Sequence, residues 1–386
     1  MEFTNDSIQI QTFINKFDMI ACENLTKTQR GIIKSFFVKI NKIHYDKPHC
    51  ISRLVVLRNH TLNKNDLFNN IPSEIRSDIH TNYNTVHLTK YIIQFKTITY
   101  NIYNKTELTS GVLDNMIYKM NLWLSIAIEH ANNKCSNELE IHIFLTGHKK
   151  MLPENDKPTS TIHVNTALTS PCSHHNRIYI YRREEWFKVF IHETFHCLGL
   201  DFSHMDTSES NKTINTIFST NIPDIRLYES YCEIWAETFN LIFVAFFLTP
   251  SKINYDYMFK LFQNMYNEEL TFSIYQMVTI LKKHNLRYSD LVHSKKGLKY
   301  VEHTNTFSYY ILKSIIMFNV NDFITWCSKH NSNIINFTHS QENISKYCDF
   351  IEECHANEEY LKTIKYIEEQ NVFKLRTLRM TAFELL

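Results

Sequence analysis

Glycine and proline are scarce in this 386-residue chain, with 5 and 7 copies. Glycine supplies the positive φ angles of tight turns and the close backbone approaches that cradle phosphate. So few glycines exclude a glycine-rich nucleotide site, and neither phosphate-loop pattern occurs. Asparagine, which tolerates the left-handed region, must serve many of the turns instead. Charge of one sign is also missing: 41 basic residues face 40 acidic ones, a formal net charge of +1. Without a basic surplus, nucleic acid is not an expected partner. Long apolar runs are absent too. The longest, Leu241–Leu248, has eight residues where a spanning helix needs about 20, so no membrane span is expected. The opening MEFTNDSIQI has neither a basic n-region nor an apolar h-region, which argues against a secretory signal. Nine cysteines occur without any CxxC spacing. They read as reduced, mostly buried thiols in a cytoplasmic or other intracellular setting.

What is present suits a large core: 44% of residues are hydrophobic and 13% aromatic, at a length that buries most of its extended surface. Helical spacing covers residues 28–43, and a polar region with short elements runs to about residue 90. Tyr91–Tyr103, β-branched and aromatic, reads as one long strand, straight or bulged. Residues 111–132 return to helical spacing. ELEIHIFLT, from Glu138, alternates cleanly as a half-buried strand, IHVNTALTS as a short edge strand and Arg177–Tyr181 as another strand. Residues 201–223 read as loop, 225–247 as helix. Helical segments follow near 253–268, 273–286, 305–319 and 342–366, with GLKYVEH as a short extended piece. The expected fold is α+β: a mixed-sheet amino-terminal lobe followed by a mainly helical carboxy-terminal lobe. The expected divisions are a helical and irregular region over 1–90, a mixed α/β lobe over 91–205 and a helical lobe over 206–386.

The chemistry concentrates in RREEWFKVFIHETFHCLGL, residues 182–200. It contains HExxH, as His192, Glu193 and His196. Residues four apart stack on one helix face, so two imidazoles can converge on one ion, while Glu193, about 100° round the helix, is placed to take a proton. The other residues of the helix are largely apolar, and polar groups buried unpaired there would cost several kcal/mol. A third ligand is needed. A histidine six residues after His196 would complete one familiar pattern, but Phe202 occupies that position, and His204 stands two residues beyond it. A second helix offers ESYCEIWAE, with Glu229, Glu233 and Glu237 at four-residue spacing. One of these carboxylates can ligate a metal while another, one turn away, accepts the N–H of a ligand histidine.

HExxH followed by a glutamate on a downstream helix resembles the gluzincin class of zinc metallopeptidases. EIWAE matches that class's ExxAE pattern 37 residues after His196. The resemblance implies one zinc per chain held by His192, His196 and Glu233, with Glu237 behind a ligand; the rival register makes Glu229 the ligand. EEWFKVFIHETFH, GLDFS and EIWAE are also similar to proteins of large DNA viruses described as metallopeptidases, which would allow a virion location. The resemblance implies hydrolysis of peptide bonds in a peptide or protein substrate, with Glu193 as the base for a zinc-bound water and the edge strand holding the extended peptide. It also implies a tyrosine or histidine that stabilises the oxyanion. The candidates are Tyr228, Tyr231, His303, Tyr309 and Tyr310, with His303 and Tyr309 favoured by the strand-to-helix pattern around them. Two readings stand against catalysis. One is a structural or interaction protein whose zinc is closed by a fourth ligand such as Cys197 or His204. The other is a globular protein without metal. Cys172, His174 and His175 could form a second site with Cys197, although a polar loop is the simpler account.

Overall fold

In the computed structural model, residues 2–17, 25–46, 48, 50–57, 66–105, 108–154, 157–370 and 375–386 are described. The fold is α+β, a mixed β-sheet lobe followed by a largely helical carboxy-terminal lobe. Two compact units can be distinguished. The sheet unit comprises Val38–Lys149 and Asn165–His204; the helical unit comprises Met1–Phe37, Lys150–Val164 and Met205–Leu386.

Among the described residues the sheet has six strands: β1 Cys50–Leu57, β2 Thr85–Ile93, β3 Lys96–Asn104, β4 Glu138–Phe144, β5 Ala167–Thr169 and β6 His175–Ile180. Their order is β1-β2-β3-β4-β6-β5. β3, β4 and β6 run parallel, and the other neighbours pair antiparallel. The register aligns Ile98 with Leu139, Tyr100 with Ile141 and Ile178, and Ile102 with Ile143 and Ile180. These residues form one fully buried face, as the two-residue period requires. The crossover helix Ser110–Ala127 packs on that face, and Asn121 accepts the Tyr100 hydroxyl at 2.5 Å. Trp186–Leu198 follows β6 directly and docks on the crossover helix. Trp123 Nε1 donates to Thr194 Oγ1 at 2.6 Å, and its ring stacks on Phe195.

Several sequence expectations need correction. Tyr91–Tyr103 is not one strand. β2 and β3 form a hairpin whose two-residue turn begins at Gln94, which takes φ 55° without being glycine. Residues 201–223 are not all loop, since Ser208–Ile217 is a helix that buries only Ser210 and Ile214. IHVNTALTS begins with a helical turn, Thr161–Val164, and only Ala167–Thr169 is strand, at the sheet's edge. The two segments at 253–286 are one helix, Tyr255–Lys283. GLKYVEH contributes a 3₁₀ turn, Lys295–Lys299, and a single bridge from His303 to Ser160. Cys135 and Cys172 are joined in a disulfide, so the cysteines are not all thiols, and Cys172 is no metal ligand. Cys22 and residues 58–65 lie outside the described residues.

At the centre of the helical unit runs Leu227–Leu248. It is long and apolar enough to cross a membrane, but 89% of its most apolar window is buried inside the protein, as befits a core helix. Around it lie Tyr255–Lys283, a π-helical turn Phe307–Leu312 that continues as Lys313–Phe318, and Gln341–Cys354. The segment 375–386 is threaded into the same unit. Gln276 Nε2 donates to the Thr377 and Arg379 carbonyls, the Tyr310 hydroxyl to Leu378, Lys313 Nζ to Met380 and Asn240 Nδ2 to Phe383. Ala382 N donates to Glu269 Oε2 at 2.8 Å.

Candidate metal centre

The helix Trp186–Leu198 is buried along its whole length. It carries polar groups in that setting because they answer one another. His192 Nε2 and His196 Nε2 lie 3.1 Å apart, one turn stacked on the next as i, i+4 spacing dictates. Behind them, His196 Nδ1 meets Asp201 Oδ2 at 2.5 Å. Asp201 is fully buried, and its other oxygen accepts the Ser203 hydroxyl at 2.9 Å. A carboxylate on Nδ1 fixes the proton there and leaves the Nε2 lone pair as the exposed donor, the tautomer a metal ligand needs. Asp201 reaches its place because the helix ends at Gly199 (φ 66°, ψ 40°), where the chain reverses. Leu200 N bonds back to Phe195 O at 2.9 Å.

Glu193 lies between the histidines and is 7% exposed. Burial raises the pKa of the neighbouring Tyr181 hydroxyl, and the Glu193 charge adds to that effect. Burial likewise pushes the Cys197 thiol up to about 12. Its Sγ faces the Thr194 carbonyl. Phe202 is core and His204 is exposed.

The remaining candidates belong to the helical unit. Glu229, Glu233 and Glu237 are all buried. Glu229 Oε1 accepts from Asn305 Nδ2 at 3.1 Å, and the same amide lies 3.4 Å from the Tyr309 hydroxyl. Glu237 faces Lys313 at 3.7 Å, both side chains being buried. His303 is exposed, with its backbone N–H on Thr159 O. Tyr231 is enclosed by Phe323, Phe337 and Tyr347 and accepts from Asn331. Tyr310 is committed to the Leu378 carbonyl. Tyr228 is half-buried.

Asp201 escaped the sequence reading. It stands five residues after His196, a spacing that matches no helical repeat, because a left-handed residue intervenes. The available signal was Gly199 itself, a C-cap that folds the next residues back on the last turn.

No protein-family model matches the chain, and no curated protein matches it. The buried histidine pair with its carboxylate is consistent with a metal-binding cluster. Imidazoles backed by a carboxylate are a donor set fit for a metal ion.

Proposed function

We propose that this chain is a zinc-dependent peptidase of the gluzincin kind, with His192, His196 and Glu229 as ligands. The observation that carries the reading is the approach of two buried Nε2 atoms to 3.1 Å with Asp201 behind His196. Glu229 is preferred to Glu233 because Asn305 sets it beside Tyr309 within its own unit, and Glu237 is engaged by Lys313. When bound, zinc supplies Lewis-acid polarisation and a nucleophilic water at neutral pH. The chain's own groups do the rest. Glu193 accepts the proton of the attacking water and hands it to the leaving amine, Asp201 keeps His196 in its ligand tautomer, and the Tyr309 hydroxyl donates to the developing oxyanion. β5, at the sheet's edge, is the element to which an extended peptide would add by backbone hydrogen bonds.

Elemental analysis after exhaustive dialysis tests the ion. One zinc per chain is expected in the wild type and in Glu193→Gln, and little in His192→Ala or His196→Ala. Full occupancy in both histidine variants would overturn the assignment. Peptide-library digestion tests the chemistry. Glu193→Gln should lose about 10²–10⁴-fold in rate, the usual share of a positioned acid–base group. A chain that holds zinc yet cleaves nothing would instead be a metal-stapled structural protein.

A further inference from the structure

The Cys135–Cys172 disulfide lies in the sheet unit against the end of the histidine helix. A Cβ added at Gly199 would meet Cys135 Sγ at 2.9 Å and Cys172 Cβ at 3.4 Å, so the bridge touches the residue that reverses the chain. The Cys135 loop grips the same turn at two more points. Asn132 N donates to Leu198 O at 3.3 Å, and Ser136 Oγ to Cys197 O at 2.6 Å. It is joined to the Cys172 loop as well, by Ser136 N to Ser173 O and Glu138 N to His174 O. Two loops, locked by one covalent bond, thus form the seat of the turn that carries Asp201 to His196.

We propose that this disulfide is a redox-controlled clamp on the His196–Asp201 pair, and that its reduction weakens metal binding at His192 and His196. The metal part of this inference rests on the zinc reading above. The two sulfurs differ in access. Cys135 is fully buried, whereas Cys172 is half-buried between exposed Pro171 and Ser173. An external thiolate therefore attacks Cys172 Sγ. The S–S bond breaks, and its electron pair leaves on Cys135 Sγ. Lys96 Nζ, bonded to the Cys135 carbonyl at 2.5 Å and to Asn137 Oδ1 at 3.1 Å, holds that loop in place. A second external thiol displaces the first from Cys172. In sum two external thiols become one disulfide, and the two cysteines take up two electrons and two protons. Without the bond, the seat of the turn is held by hydrogen bonds alone, and Asp201 is free to drift from Nδ1.

The test uses the full chain in three forms: oxidised, reduced with a phosphine and then alkylated, and Cys135→Ser/Cys172→Ser. Zinc affinity is read by chelator competition, and hydrogen exchange of the Gly199 and Leu200 amides is read in metal-free protein. Removing an outer partner of a ligand typically costs about 10–100-fold in affinity. Both opened forms should bind zinc at least about tenfold more weakly and exchange faster at 199–200, with residues 186–194 still protected. Equal affinity and equal exchange in oxidised and reduced protein would overturn the clamp. So would mass analysis showing free thiols at both positions after oxidation. If no form binds zinc, the metal reading fails and exchange alone decides: faster exchange on reduction supports the clamp, unchanged exchange rejects it. Should the double variant misfold, the reduced wild type carries the test, and recovery of slow exchange on reoxidation is the supporting result.

Discussion

Two core helices bury ionisable side chains, and they dispose of them in opposite ways. In the helical unit, Glu237 faces Lys313, whose Nζ also donates to Met380 O, while Glu269 accepts from Ala382 N and the Thr381 hydroxyl. Acid, base and backbone close on one another there, and burial, with Glu237 nearby, holds the Glu269 carboxyl well above the usual range. In the sheet unit, the histidine helix presents two ring nitrogens aimed at the same point, with an acid behind one of them. Groups of opposite sign make a finished structure, whereas convergent lone pairs make a receptor for a cation. Three carboxylates at equal spacing on one helix therefore need not share a role: Glu229 accepts from Asn305, whereas Glu237 faces a lysine.

The largest effect should come from breaking the closed grouping. Lys313→Met leaves two buried carboxyl groups without their cation, and loss of one member of a buried pair costs about 3–5 kcal/mol. Denaturant melts should show that loss growing as pH rises past the ordinary carboxyl range, because the unfolded acids then shed protons that the buried ones retain. A loss below 1 kcal/mol would show that the charges are not coupled as described.

Glu302 is the intermediate case. Its carboxylate accepts from the Phe307 N–H at 2.6 Å and the Thr306 hydroxyl at 2.8 Å, neutral donors both. Burial outweighs these bonds and raises its pKa to about 7. Between about pH 4.5 and 7 the folded chain holds a proton that the unfolded chain has lost, so this group's contribution to stability falls with rising pH and is level above 7. Glu302→Gln should flatten that decline and be more stable at pH 8, by up to about 3 kcal/mol. Melts at pH 5 and pH 8 that differ equally in both proteins would assign the decline elsewhere.

The smallest effect sharpens the open grouping. Asp201→Asn keeps the shape beside His196 but withdraws the charge that fixes its tautomer. Zinc affinity should fall about 10–100-fold, roughly 1.4–2.7 kcal/mol, with little change in melting of the metal-free protein. Unchanged zinc affinity would make the Asp201 bond a purely structural one.

The histidine helix was legible because two signals coincide in it: helical spacing of Trp186, Val189 and Phe190, and a motif whose geometry needs a helix. β4 was legible because its face really alternates, with Leu139, Ile141 and Ile143 turned to the core. The hairpin at Gln94 was not, since its turn uses no glycine or asparagine and the strands on either side are equally apolar. Ser208–Ile217 was hidden by its own polarity, since Ile214 and Ile217 are its only large apolar residues. The disulfide joins residues 37 apart, a distance that no local spacing announces. The choice of Glu233 over Glu229 rested on the ExxAE pattern alone, because residues one turn apart look alike in a sequence and Asn305, the partner of Glu229, stands 76 residues away.

The segment 375–386 gives the helical unit a timetable. Ala382 must find Glu269 across 113 residues and Phe383 must find Asn240 across 143, while Leu386 N closes on Glu2 O near the other end of the chain. Contacts of such separation carry a high loop-closure cost and form late. On a ribosome adding about 5–20 residues per second, everything through His204 has been made on the order of ten seconds before Leu375 appears. The sheet unit, with its histidine pair and its disulfide, is thus free to fold first. The helices that follow complete their native contacts only when residues 375–386 arrive, because Lys313 and Glu269 find their backbone partners at Met380 and Ala382.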